Sequence, residues 1–155
     1  MKLILVRHGQ AFEGIEDDER TLTELGVKQI ENVAHALMSQ RVSVAHVYHS
    51  GKMRAQQTAK ILQQSLAPGC PISILELLKP SSRPTALVDY LVEIDESSLM
   101  VGHLPHIREF AFELLGFQNT RTLEQLAFNP GTVILFSSDD NITWTLDQCL
   151  EPEII

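Results

Sequence analysis

Lys2-Leu-Ile-Leu-Val-Arg7-His8-Gly9 is the stretch that decides the fold. Lys2–Val6 is a short apolar, partly β-branched run of strand length, and it ends on a charged pair and a glycine. Runs of similar length recur at Val44–His49, Ile72–Leu75 and Ser98–Val101. Longer segments with helical spacing separate them. Thr21-Leu-Thr-Glu24 has the form of a capping box, and Leu25, Ile30, Val33, Ala34, Leu37 and Met38 follow it at helical intervals. Met53–Leu66 reads as a second helix closed by Pro68-Gly69, and Thr85–Ile94 as a third with Pro84 at its start. A fourth runs from Pro105 to Leu115 and stops at Gly116. Residues 117–131 look irregular. Thr132–Ser137 and Ile142–Leu146 flank Asp139-Asp140-Asn141 as a closing hairpin, which adds an antiparallel element at one edge. Alternation of strand and helix implies an α/β fold with a mainly parallel central sheet.

The chain has 155 residues and no internal repeat or linker, so 1–155 is expected to form one domain. Hydrophobic residues make up 44% and charged residues 21%, values of an ordinary globular protein. No apolar run approaches the ~20 residues of a membrane helix, and the opening run is too short for a secretory leader. Cys70 and Cys149 lie far apart and outside any CxxC pattern, so a reduced, cytoplasmic protein is expected. Net charge is −8, which disfavours a nucleic-acid partner. The charge is uneven: residues 1–60 carry 8 Lys/Arg and 7 Asp/Glu (+1), and residues 61–155 carry 4 and 13 (−9).

Sites in parallel sheets form outside the carboxyl ends of the strands. The residues there are Arg7-His8-Gly9, Ser50 to Arg54, Glu76 and Gly102-His103. Two guanidinium groups suit a phosphoryl group, because each donates bidentate, charge-assisted hydrogen bonds. A neutral imidazole can attack phosphorus, and neighbouring cations should keep it neutral. No Gly-rich Lys-Ser/Thr loop is present, which argues against a nucleoside triphosphate.

These segments resemble the histidine phosphatase superfamily, which includes the phosphoglycerate mutases. Leu5-Val6-Arg7-His8-Gly9-Gln10-Ala11 is similar to its Arg-His-Gly signature. Arg20-Thr21-Leu22-Thr23-Glu24-Leu25-Gly26 and Ser50-Gly-Lys-Met-Arg54-Ala55-Gln56-Gln57-Thr58-Ala59 resemble its next two motifs, followed by Glu76 and by Gly102-His103 in order. The resemblance implies a three-layer α/β/α fold. It makes His8 the nucleophile that becomes phosphohistidine, with Arg7 and Arg54 clamping the phosphoryl oxygens. His103 would complete the pocket and stabilise the transition state. Gly9 and Gly102 would line the substrate pocket, Gly9 orienting the His8 ring and Arg20 standing at the mouth. Glu76 would be the proton donor, with Asp17, Asp18 or Glu19 as alternatives.

The mutase branch continues with a Trp and an Asn where this chain has Phe12-Glu13-Gly14, and it carries a long insertion before the second histidine. Only residues 77–102 separate Glu76 from His103, so a lid is expected to be absent. The short chain, the missing lid and His103-Leu104-Pro105 resemble the superfamily's phosphohistidine phosphatases; a cofactor-free and metal-free enzyme is expected, and a monomer, since no heptad or apolar stripe demands a dimer. Its partner would be a histidine-containing phosphotransfer domain of a two-component phosphorelay. A small-molecule phosphomonoesterase or mutase, and a non-catalytic phosphate-binding module, are the rival readings. A His8/His49/His103 metal site is disfavoured by the adjacent guanidiniums. His35, His46, His49 and His106 are expected to be structural, Met38, Met53 and Met100 core or near-core, Trp144 packing on the last strand, and Glu13–Glu19 a solvated loop.

Overall fold

Alternate side chains of the first strand bury on opposite faces, and that alternation sets up the layers. In the computed structural model, which describes residues 1–116 and 120–152, β1 is Lys2–Arg7. Leu3 and Leu5 join one apolar cluster, while Ile4 and Val6 join another. The same division runs through β4 (Ser98–Gly102), where Met100 faces one side and Leu99 and Val101 the other. Helices α1 (Glu24–Ser39) and α2 (Met53–Leu66) cover the Ile4/Val6 face with Ile30, Val33, Leu37, Ala55, Ala59 and Leu62. Helices α3 (Pro84–Glu93) and α4 (His106–Leu115) cover the opposite face, with Leu87, Leu91, Ile107 and Phe110 among their buried residues. Helix, sheet and helix make three layers.

Strands β2 (His46–His49), β3 (Ile72–Ile74), β5 (Val133–Ser137) and β6 (Thr145–Leu150) complete a six-stranded sheet in the order β3-β2-β4-β1-β5-β6. The first four strands in that order are mutually parallel; β5 runs antiparallel to β1, and β6 antiparallel to β5. The expected parallel sheet with an antiparallel edge is therefore present. No helix among the described residues is long and apolar enough to cross a membrane.

Several local readings shift. The capping residue of α1 is Thr23, whose hydroxyl accepts from the Gly26 amide, because Thr21 and Leu22 are held extended by an antiparallel bridge between Ala11 and Leu22. Helix α4 begins at His106, with Pro105 as its cap. Part of the segment expected to be irregular is a short helix, α5 (Thr120–Gln125), and residues 117–119 lie outside the described residues. The hairpin's second strand starts at Thr145, since Asp140 Oδ1 accepts from the amides of Ile142 and Thr143 and holds them in a turn. Trp144 is buried just before that strand rather than on it. Met100 is fully buried, but Met38 and Met53 are exposed.

The turn after β1 lies unusually close to the start of α1. A Cβ on Gly26 would fall on the Gln10 carbonyl oxygen, and one on Gly9 would stand 2.8 Å from the Gly26 oxygen. Neither position tolerates a side chain without backbone movement. Gly26→Ala is expected to cost about 2–3 kcal/mol of folding stability, as overpacking does. Urea denaturation checks this; a loss below about 0.5 kcal/mol would show that the turn relaxes freely.

Candidate active site

Because β1 and β4 are adjacent and in register at Arg7 and Gly102, the residues that follow them meet. The His8 amide donates to the Gly102 carbonyl at 3.2 Å, and the His8 and His103 ring centroids lie 4.9 Å apart. Gly102 leaves room for α4, since a Cβ there would stand 2.5 Å from Ile107 Cγ2. Arg54 arrives from the first turn of α2, beyond β2 on the far side of β4. Arg7, His8, Asp17, Arg20, Arg54, Pro80, His103 and Leu104 line one open cleft of about 340 Å³.

The two bonds to the His8 ring define its tautomer. Nδ1 stands 2.7 Å from the Gly9 carbonyl oxygen, which can only accept, so Nδ1 carries the proton. Arg54 Nε donates to Nε2 at 3.3 Å, so Nε2 holds a lone pair. Burial pushes the His8 pKa down to about 4; the Gly9 bond opposes that shift, and Arg54, Arg7 and Arg20 add to it. Desolvation thus outweighs the cations that the sequence suggested as the cause. His103 is depressed as well, again chiefly by burial and then by His8 and Arg54.

Motif residues beyond the cleft hold these groups in place. Thr58 Oγ1 accepts from the Gly9 amide at 3.2 Å and donates to the Arg54 carbonyl at 2.8 Å. Gln57 Oε1 accepts from the Leu22 amide, and Gln29 Oε1 from the Gln10 amide. Arg7 Nη1 donates to the Phe128 carbonyl at 2.8 Å, a contact made from a left-handed residue (φ 58°) in the segment expected to be irregular. Ser50 was legible only as a motif letter. Its buried hydroxyl lies 2.6 Å from His103 Nε2 and also accepts the Lys52 amide at 3.4 Å. The Ser50 hydroxyl thus engages Nε2, while His103 Nδ1 is buried with no protein partner among the described residues.

The structure brings together Arg7, His8, Arg20, Arg54 and His103, but not Glu76. The chain turns after β3, and Glu76 pairs with Lys79 at 2.6 Å in a neighbouring depression, its side chain 71% exposed. The carboxylate that does line the cleft is Asp17. The acidic loop is therefore not simply solvated: Asp17 pairs with Arg54 and Lys52, and Asp18 with Lys52. His46 and His49 lie on β2, His49 Nδ1 accepting the Gly51 amide, and His106 is buried away from the cleft.

The model of the histidine phosphatase superfamily (branch 1) matches residues 3–83, more than half of the chain. The chain belongs to the histidine phosphatase superfamily. Within that superfamily it is 28% identical over 119 residues, 74% of each chain, to the phosphohistidine phosphatase SixA of Escherichia coli K12. A solved structure of the protein histidine phosphatase SixA with tungstate superposes with a TM-score of 0.86 at 23% identity, covering 98% of this chain and 97% of the other. A chain assigned to SixA in Agrobacterium tumefaciens follows, with a TM-score of 0.82 at 22% identity and 97% coverage of both. Family and relatives place the chain among phosphatases.

Two expectations follow from the geometry. The His8 ring should stay neutral, with its proton on Nδ1, from pH 8 down to about pH 4, as ¹⁵N NMR of labelled histidine would read. Titration near pH 6.5 would contradict the buried setting. Since the unfolded ring protonates at about 6.5, the folded form binds fewer protons between pH 6.5 and 4, and His8 lowers stability as pH falls through that window. Ser50→Ala should lower kcat by about tenfold with KM little changed, and Ser50→Thr should restore most of it. Equal losses in both variants would mean that Ser50 serves packing alone.

Proposed function

We propose that the chain removes the phosphoryl group from a histidine on a protein phosphotransfer domain by way of a phosphohistidine formed on His8. The observation that carries this reading is a neutral Nε2 lone pair placed beside two guanidiniums in an uncovered cleft. Residues 77–102 supply helix α3, strand β4 and short connections rather than a lid, so a phosphoryl group borne on another protein can reach Nε2. Phe12 and Ile15, each 53% exposed, lie on the loop that carries Asp17, and the exposed Met53 precedes Arg54. An apolar margin beside a polar cleft favours a macromolecular substrate. Similarity to the phosphohistidine phosphatase of Escherichia coli points the same way.

His8 Nε2 attacks phosphorus as the substrate's P–N bond opens. A phosphohistidine ring protonated at its other nitrogen leaves as neutral imidazole, so the leaving nitrogen needs no donor, and the exposed position of Glu76 beside Lys79 is no obstacle. Attack turns the His8 ring into a cation whose Nδ1–H stays on Gly9. Water then attacks phosphorus, the P–Nε2 bond breaks, phosphate keeps both of the water's protons and leaves as H2PO4⁻, and His8 returns to its neutral tautomer. Arg7 and Arg54 neutralise the phosphoryl oxygens in both steps, and His103 completes the pocket beside His8.

The test compares kcat/KM on a purified phosphotransfer domain phosphorylated on histidine with that on p-nitrophenyl phosphate. The protein substrate should be favoured by at least ~100-fold, and His8→Ala should lower turnover by at least ~10³-fold with the fold retained. Faster turnover of the small ester would sink the protein-substrate reading, and substantial activity in His8→Ala would sink the mechanism.

A further inference from the structure

Arg54 is not free for a ligand in the resting protein. Its Nη1 donates to the Asp17 carbonyl at 2.6 Å, and its Nη2 pairs with Asp17 Oδ1 at 3.1 Å. The same carboxylate lies 3.7 Å from Arg20 Nη1 and contacts Lys52 Nζ. One side chain thus answers three cations, two of which line the cleft together with His8. Lys52 and the other cations hold the Asp17 carboxyl below its usual range, so it is an anion. Asp18 differs, since its ion pair is with Lys52, at 2.7 Å, and it makes no hydrogen bond to Arg54.

We propose that Asp17 is the resident anion of the cleft, a specificity-determining residue that a phosphoryl group must displace from Arg54. This rests on reading the cleft as a phosphoryl site. The geometry makes displacement feasible. The Asp17 side chain is 57% exposed, and the single turn Asp17–Glu19 has no buried residue, so polar contacts with the cleft cations hold it there. Arg54 itself is buried, 6% exposed, but the carboxylate that answers it faces water, so solvent and added salt compete for the Asp17 end of the pair. A phosphoryl group carries more charge than a carboxylate and offers three oxygens to the same guanidiniums.

The consequence is selectivity. Free phosphate and small phosphoesters must compete with Asp17 using the phosphoryl group alone. A protein-borne phosphoryl group has contacts elsewhere, and the exposed Phe12 and Ile15 sit on the same loop as Asp17. A surface that engages them moves the loop while delivering the phosphoryl group. Weak retention of free phosphate also speeds release of the product.

Titration calorimetry with inorganic phosphate at low ionic strength tests this on the wild type, Asp17→Asn, Asp17→Ala and Asp18→Asn. The Asp17 carbonyl that holds Arg54 Nη1 is main chain and survives every substitution. Both Asp17 variants should bind phosphate about tenfold more tightly, Asp18→Asn should stay within about twofold of wild type, and 0.5 M NaCl should shrink the difference. Thermal melts confirm that each variant is folded. Folded Asp17 variants that bind phosphate like the wild type, or more weakly, overturn the proposal while leaving the phosphoryl cleft intact. Absence of phosphate binding in every protein would overturn the reading of the cleft itself.

Discussion

The bond from His8 Nδ1–H to the Gly9 carbonyl is the constraint on which the site depends. At 2.7 Å it fixes the proton on one ring nitrogen and frees the other. A single tautomer is worth having only if the carbonyl cannot move, and three hydrogen bonds from two helices hold it. Thr58 of α2 takes the Gly9 amide, Gln29 of α1 takes the Gln10 amide, and the Thr23 amide donates to the Gln10 carbonyl. The contact between this turn and Gly26 admits no side chain. Packing of two helices against one turn thereby becomes the orientation of a nucleophile.

Electrostatics explains why that nucleophile is neutral. Burial comes first, because an imidazolium loses hydration that the site does not replace; the arginines add repulsion. The arginines keep their charge through acceptors of their own, the Phe128 carbonyl for Arg7 and the Asp17 carbonyl and carboxylate for Arg54. The cleft is therefore neutral at its nucleophile and cationic at its walls, with one carboxylate at the mouth. A dianionic phosphoryl group complements this arrangement better than a neutral or cationic ligand would.

Much of this was legible in the sequence because it rests on short-range patterns. The run into Arg7-His8-Gly9, the helix beginning at Met53 and the strand ending at Gly102 are each local, and their order alone placed both histidines and Arg54 at one edge of a sheet. What was not legible depends on partners distant in sequence. The Phe128 carbonyl reaches Arg7 across 121 residues, and the Ser50 hydroxyl reaches His103 across 53. No periodicity marks either. Glu76 follows a strand as the others do, yet a one-turn helix carries its carboxylate to Lys79 instead of the cleft. The acidic loop was read as solvated since composition cannot tell that one of its carboxylates folds back onto three cations. The uneven charge nevertheless foretold a local feature: Arg7, Arg20 and Arg54, all from the near-neutral first 60 residues, share one cleft in a chain of net charge −8.

The central claim is that His8 carries the phosphoryl group on Nε2 because Gly9 holds Nδ1. The most direct measurement is ³¹P NMR of the phosphoenzyme, trapped under alkaline denaturing conditions during turnover, with peptide mapping of the labelled residue. A single Nε2-phosphohistidine at His8 is the predicted result. A phosphoryl group on Nδ1, on another residue, or on no residue at all under conditions of rapid turnover would contradict the account.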